Sequence, residues 1–201
     1  MGDVWRRADP LVLRPDEGWT VRPGSDLQGD RFVLTGTDTG GRFAVVTHPI
    51  EPGWFSPPHT HSREDEYSYI LEGQFGFEIG DREFVAGAGS LVFKPRDVRH
   101  GFWNPGTGRG LILEIVSPAG LEGFFEKALE LFEGGALPTP EATQRLARSY
   151  GAEVDVAGAP EFMARHGLHP PAGLAGSVTG PAFSQARPGR AGIPEDSRPP
   201  E

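Results

Sequence analysis

Between residues 19 and 117 the apolar positions come in short runs separated by turn residues. Arg31–Thr35, Phe43–Thr47, Tyr67–Leu71, Phe75–Ile79, Leu91–Phe93 and Leu111–Val116 are the clearest. Gly40-Gly41, Gly80-Asp81, Gly87–Gly89 and Asn104-Pro105-Gly106 punctuate them. Close-spaced short strands with Gly-rich turns predict a small antiparallel sandwich or barrel. The alternation of Phe75, Phe77 and Ile79 marks a strand with one apolar face. After Ser117 the period changes. Leu121, Phe124, Phe125, Ala128, Leu129 and Phe132 share one face of a helix. Thr139 as N-cap, Pro140 at the first helical position and Gly151 beyond the end predict a second helix. A third is expected over Pro160–His166, stopped by Gly167. The chain therefore divides into an N-terminal arm (1–18), an all-β barrel (19–117) and a helical extension (118–170) that covers one face or edge of the sheets. The final segment, 171–201, is rich in Pro and Gly and poor in large apolar side chains, so it is expected to be disordered.

Composition narrows the function more than the fold. The 201 residues contain 29 Gly and 20 Pro, which argues against a helical bundle. A net charge of −9 without a basic run excludes a phosphate-tracking nucleic-acid binder. No run of residues approaches a membrane span, and no apolar run follows Arg6-Arg7, so a cytoplasmic protein is expected. With no Cys, any metal must be held by imidazole and oxygen ligands.

Three of the six His fall in two short segments. The first reads Gly53-x5-His59-x-His61-x4-Glu66-x6-Gly73, and the second Gly89-x5-Pro95-x-Asp97-x2-His100-x3-Asn104. Residues i and i+2 of a strand share a face, so His59 and His61 can present two imidazoles to one ion. Glu66 lies at an odd offset from His61, and a turn through Ser62–Asp65 is needed to bring it back. His100 would come from a neighbouring strand. Three imidazoles and a carboxylate leave an octahedral ion two open positions, which substrate or dioxygen can take.

These segments resemble the two motifs of the cupin superfamily, G-x5-H-x-H-x4-E-x6-G and G-x5-P-x-G-x2-H-x3-N. Asp97 stands where the family has Gly; Asp is one of the few residues that tolerate the left-handed region. The resemblance implies a double-stranded β-helix barrel, or jelly roll, and a homodimer. It also implies His59, His61, Glu66 and His100 as ligands of one divalent ion, which could be Fe, Ni, Mn, Co, Cu or Zn. Asp38-Thr39-Gly40-Gly41, Pro57-Pro58-His59, Glu64-Asp65-Glu66, Pro95-Arg96-Asp97 and the Phe124-Phe125 helix are similar to single-domain quercetin-dioxygenase-like cupins. That subgroup implies a dioxygenase acting on a small aromatic or enolic, flavonol-like substrate, with O₂ as co-substrate and Glu66 as the catalytic base.

Parity assigns the remaining positions. Ser68 and Ile70 share the face of Glu66, and Phe102 and Asn104 share that of His100, making Ile70 and Phe102 the candidate pocket residues. Tyr67, Tyr69, Leu71 and Trp103 face away, as core or dimer contacts. Trp54 and Phe55 are placed at the pocket mouth. Glu64 and Asp65 are read as a solvated turn, and His48, His166 and His169 as structural or exposed. Glu114 interrupts an apolar strand and is read as exposed, with a buried second acid as the alternative. The rival to the dioxygenase is a non-redox cupin: an isomerase or lyase on a small oxygenated metabolite, or a binding module. A catalyst of that kind needs an acid–base group beyond the ligands.

Overall fold

The computed structural model describes residues 12–14, 18–21, 29–132 and 139–168. Most of the arm and the whole 171–201 segment lie outside them, as does His169. Eleven strands run in chain order. They are β1 (Trp19–Val21), β2 (Asp30–Leu34), β3 (Ala44–Ile50), β4 (Phe55–His61), β5 (Asp65–Glu72) and β6 (Gln74–Ile79). Then follow β7 (Arg82–Gly87), β8 (Leu91–Lys94), β9 (His100–Trp103), β10 (Gly110–Ser117) and β11 (Ala152–Val154). Four helices join them: α1 (Gly36–Thr39), α2 (Glu122–Phe132), α3 (Pro140–Ser149) and α4 (Ala159–His166). The strands form two antiparallel sheets, ordered β1-β2-β3-β10-β5-β8 and β11-β4-β9-β6-β7. This is the antiparallel barrel that the strand pattern predicts, in the double-stranded β-helix form that the resemblance implies, with helices following it.

The alternating pattern decides what lies between the sheets. Ile70, Phe75, Phe77, Val92, Phe102 and Ile112 form the buried apolar cluster there. Ile70 is fully buried in that cluster and is not among the cavity-lining residues, so its expected place in the pocket is corrected. Its partner Ile112 pairs with it across β5 and β10 and covers it. The outward residues behave as parity requires: Tyr69, Leu71, Leu91 and Phe93 are exposed on the far face of β5 and β8.

Trp103 also points away from the site, yet it is buried. Helix α4 lies over that outer face, with Phe162 at 5.5 Å edge-to-face and His166 stacked on the indole at 3.8 Å. His166 is thereby structural, as expected. Arg99 and Arg165 both bond Glu78 beside this contact, and Arg99 also reaches Asp155 at 3.0 Å. The α3 N-cap is the one its sequence announces: Ala142 N–H donates to Thr139 Oγ1 at 3.2 Å, and Pro140 follows the cap. β11 was not foreseen. It pairs with β4 opposite His61 and His59, so the extension completes the sheet as well as covering it.

Gly76 of β6 is required by Trp103. A Cβ at this position would lie 2.1 Å from the indole, which His166 and Phe162 hold in place. Gly76→Ala is therefore expected to destabilise the protein by at least ~1–3 kcal/mol, read as a lower melting temperature. Because β9 carries both Trp103 and His100, the same variant should bind metal more weakly.

Candidate metal centre and its cavity

β4 brings His59 and His61 to one face, and the antiparallel register of β4 with β9 sets His100 directly opposite His59. Glu66 arrives from the other side. The chain turns at Ser62–Glu64 and leaves the five-stranded sheet for the six-stranded one, where β5 begins at Asp65. The odd offset from His61 to Glu66 is thus resolved by a change of sheet, since the inner faces of the two sheets look at each other. One donor atom from each of the four side chains lies within 4.8 Å of the others. His100 Nε2 lies 3.0 Å from Glu66 Oε2 and His61 Nε2 lies 3.4 Å from Glu66 Oε1. Adjacent ligands of an ion bonded at about 2.1 Å are about 3 Å apart, so this spacing suits one ion.

The second nitrogen of each ring explains its aim. His59 Nδ1 donates to the Pro57 carbonyl at 2.7 Å and His100 Nδ1 to the Val98 carbonyl at 2.9 Å. Each bond leaves Nε2 for the centre. Burial pushes His59 well below the usual imidazole range and lowers His61 as well, which favours the neutral form a ligand needs. Both His61 nitrogens are buried without a hydrogen-bond partner. Unpaired nitrogens on a buried ring are costly in a protein without a ligand there and expected in a metal ligand. The donor set fits a divalent ion.

Loop geometry holds these strands together. Asp97 has φ 61°, the left-handed conformation that the family's Gly supplies at this point, and its N–H donates to the His61 carbonyl at 2.7 Å. Arg96 clamps Asp65 through its guanidinium at 2.7 and 3.1 Å and through its backbone N–H at 2.9 Å, fixing the start of β5. The Arg96 hydrogen bonds hold the Asp65 carboxyl down to about 2. Asn104 caps the turn after β9: its side-chain amide donates to Ile50 and Gly108 carbonyls and accepts from Gly106 N–H. Glu64 is not solvated; it is buried 3.7 Å from His61 Nδ1, and burial raises its carboxyl.

Beside Glu66 lies a residue that spacing arguments passed over. Lys94 is 1% exposed, paired with Glu66 across β5 and β8, and its Nζ donates to Glu66 Oε2 at 2.8 Å and Glu114 Oε2 at 3.0 Å. Its inward position could have been read from its parity with buried Val92. Glu114 is 2% exposed, so the reading of an exposed position is corrected in favour of the buried acid. It accepts Ser68 Oγ–H at 2.7 Å on Oε2, while Oε1 has no partner. Burial alone would raise Glu66, but Lys94, His100 and His61 hold it well below the usual carboxylate range. Burial raises Glu114 above its ordinary value, in spite of Lys94.

All of this opens on one cavity of about 380 Å³. His59, His61, Glu66, Lys94 and Glu114 line it, with Phe102, Trp54 and Phe55 from the barrel. Leu121, Phe124, Phe125, Thr143 and Ala147 line it from the helical extension. His48 is there too, with Asp30, so its assignment to a purely structural or exposed position is corrected. It was passed over because it lies outside both His segments.

Residues 47–116, which contain the whole donor set, match the family model of the cupin domain. The barrel has the cupin fold. The protein SchB of Streptomyces halstedii is 27% identical over 97 residues, covering 48% of this chain and 69% of SchB. Among solved structures, KdgF from Halomonas sp. superposes on this chain with a TM-score of 0.48 at 20% identity. That match covers 57% of this chain and 99% of KdgF. The polyketide cyclase RemF from Streptomyces resistomycificus gives 0.45 at 26% identity, covering 55% of this chain and 80% of RemF. Among the described residues no helix is long and apolar enough to cross a membrane.

Proposed function

We propose that this cupin is a metal-dependent enzyme for a small, largely apolar substrate bearing an enol or phenol oxygen. The observation that carries the reading is a fitting three-His, one-Glu donor set, of which His59, His61 and Glu66 line a cavity that aromatic and aliphatic side chains share with a few buried ionisable groups. When bound, a divalent ion would supply Lewis-acid polarisation of the substrate oxygen and, if redox-active, a route for electrons to dioxygen. Trp54, Phe102, Phe124 and Phe125 would hold the apolar body of the substrate and keep water away.

The chemistry we favour is non-redox proton transfer on the substrate framework, of the isomerase, lyase or ring-closing type. Its support is the set of buried ionisable groups beyond the ligands, Lys94, Glu114 and His48, which such a reaction needs. The dioxygenase reading is the second, favoured by the open positions such a donor set leaves and by the sequence resemblance. We take the assembly to be a homodimer on the same resemblance; the exposed Leu91 and Phe93 on β8 suit such a contact.

Protein stripped with a chelator and reloaded separately with Zn, Mn, Fe, Co, Ni or Cu decides between them. With a panel of flavonols, hydroxyaromatics and 1,3-diketones, the favoured reading expects turnover or solvent-deuterium incorporation with redox-inert Zn and no oxygen uptake. Oxygen uptake matched to substrate loss, and confined to redox-active ions, would establish the dioxygenase instead. Absence of turnover and deuterium incorporation with every fully loaded ion would leave a binding module.

A further inference from the structure

We propose that His48, oriented by Asp30, is an acid–base residue of the cavity and takes the proton of the substrate's enol or phenol hydroxyl as it binds. This rests on the metal-dependent reading above and adds to it a residue outside the donor set. His48 lies on β3, where it pairs with Ile112 of β10, and Asp30 opens the neighbouring strand β2. The register of Arg31 with Thr47 carries on to bring Asp30 beside it, and His48 Nδ1 is 2.7 Å from Asp30 Oδ1. An imidazole tied in this way donates Nδ1–H to the carboxylate. Nε2 is then the basic nitrogen, and the carboxylate stabilises the cation formed when it gains a proton.

Both side chains line the same cavity as the donor set, while His48 is not one of the clustered donors. Its ring packs toward Phe102 at 6.4 Å. The charged groups that face it are Asp30 from β2, Glu114 from β10 and Lys94 from β8. Burial alone would lower the His48 imidazole, but Asp30 outweighs it and the group is raised above its ordinary value. Glu66 is poorly suited to the same duty, because Lys94 donates to its Oε2 and its carboxylate belongs to the donor set. In the step proposed, the substrate O–H bond breaks, its electron pair stays on oxygen, and the proton forms an N–H bond at His48 Nε2. Asp30 remains a carboxylate throughout, and no oxidant is required.

The test uses 4-nitrocatechol, whose colour reports its own ionisation, with the full-length Zn-loaded protein. His48→Asn places an amide near the former Nδ1, so the tie to Asp30 survives while the base is lost. The expected result is unchanged metal content and melting temperature, with affinity for the ionised probe at least about tenfold weaker. The limb of the binding pH profile that belongs to His48 in the wild type should also disappear. In Asp30→Asn, NMR titration should place the His48 transition at lower pH than in the wild type. Equal affinity and an unchanged pH profile in His48→Asn would overturn the role of His48 alone. A Zn-loaded wild type that does not bind the probe would overturn the metal-centred reading and this inference with it.

Discussion

Alanine at His61 or His100 is expected to yield protein that purifies without stoichiometric metal, and the wild type is expected to purify with one ion per chain. Each of these rings supplies one of four donors, and its other neighbours are already committed. His100 is paired opposite His59 and oriented by the Val98 carbonyl, and His61 is buried with no other partner for either nitrogen. Glu114 is held by Ser68 and Lys94, and Glu64 lies on the Nδ1 side of His61, away from the Nε2 that approaches Glu66. Loss even of an outer partner of a metal ligand weakens binding ~10–100-fold, so loss of the ligand itself should exceed about a hundredfold. Competition against a chromogenic chelator, with elemental analysis of the purified protein, measures this directly. A second readout is thermal stability. Ligand at about 100 times its Kd stabilises the folded state by about 2.7 kcal/mol, so a chelator should lower the melting temperature of the wild type and leave that of His61→Ala nearly unmoved. A wild type that melts identically with and without chelator, after proven loading, would argue against this centre.

The donor set and the barrel were legible because each rests on local geometry. His59 and His61 share a strand face by the period of two, and Asp97 occupies a turn position whose positive φ Asp can bear. What escaped depends on which strands meet. Glu114 looked exposed because it interrupts Leu111–Val116, yet it pairs with Ser68 and is matched by Lys94 from β8. No single strand shows a charged triad assembled from three. The same holds for His48, whose partner Asp30 is 18 residues away and whose cavity is closed by helices from the far end of the chain. Ile70 failed in the opposite sense. Parity put it correctly on the inner face, but that face has both a packed part and an open part, and β10 covers Ile70 with Ile112. Trp103 faces away from the site as a core contact, as its parity suggested, but that α4 would supply the other side of that contact could not be read from β9.

Replacing Lys94 by Met should give the largest loss of stability of any conservative change in the barrel. The substitution keeps most of the side-chain volume and removes the charge that touches both Glu66 and Glu114. Burial alone would lower the Lys94 ammonium, but the two carboxylates raise it above its ordinary value, so the lysine is charged at neutral pH. Breaking a buried ion pair by removing one partner costs roughly 3–5 kcal/mol, since the remaining charge stays buried and uncompensated. For a chain of this size that corresponds to a fall of roughly 6–20 °C in melting temperature. The pH dependence provides the sign. In metal-free Lys94→Met, burial raises Glu114 with only His48 and the Ser68 hydroxyl left to oppose it, so the folded state binds a proton that the unfolded state gives up. Stability should therefore increase as pH falls through that raised value, and decrease as pH rises above it. In wild type the contribution of Lys94 has the opposite position: it is complete below the ordinary lysine range and lost only as pH rises through the elevated value. Glu114→Gln in the Lys94→Met background removes the second uncompensated charge and should recover part of the loss. Thermal melts of the wild type, Lys94→Met, Glu114→Gln and the double variant with chelator present, at pH values from about 5 to 8, measure both the coupling and its sign. If Lys94→Met melts at the wild-type temperature across that range, neither carboxylate depends on the lysine, and Glu66 must be held for the metal by His61 and His100 alone.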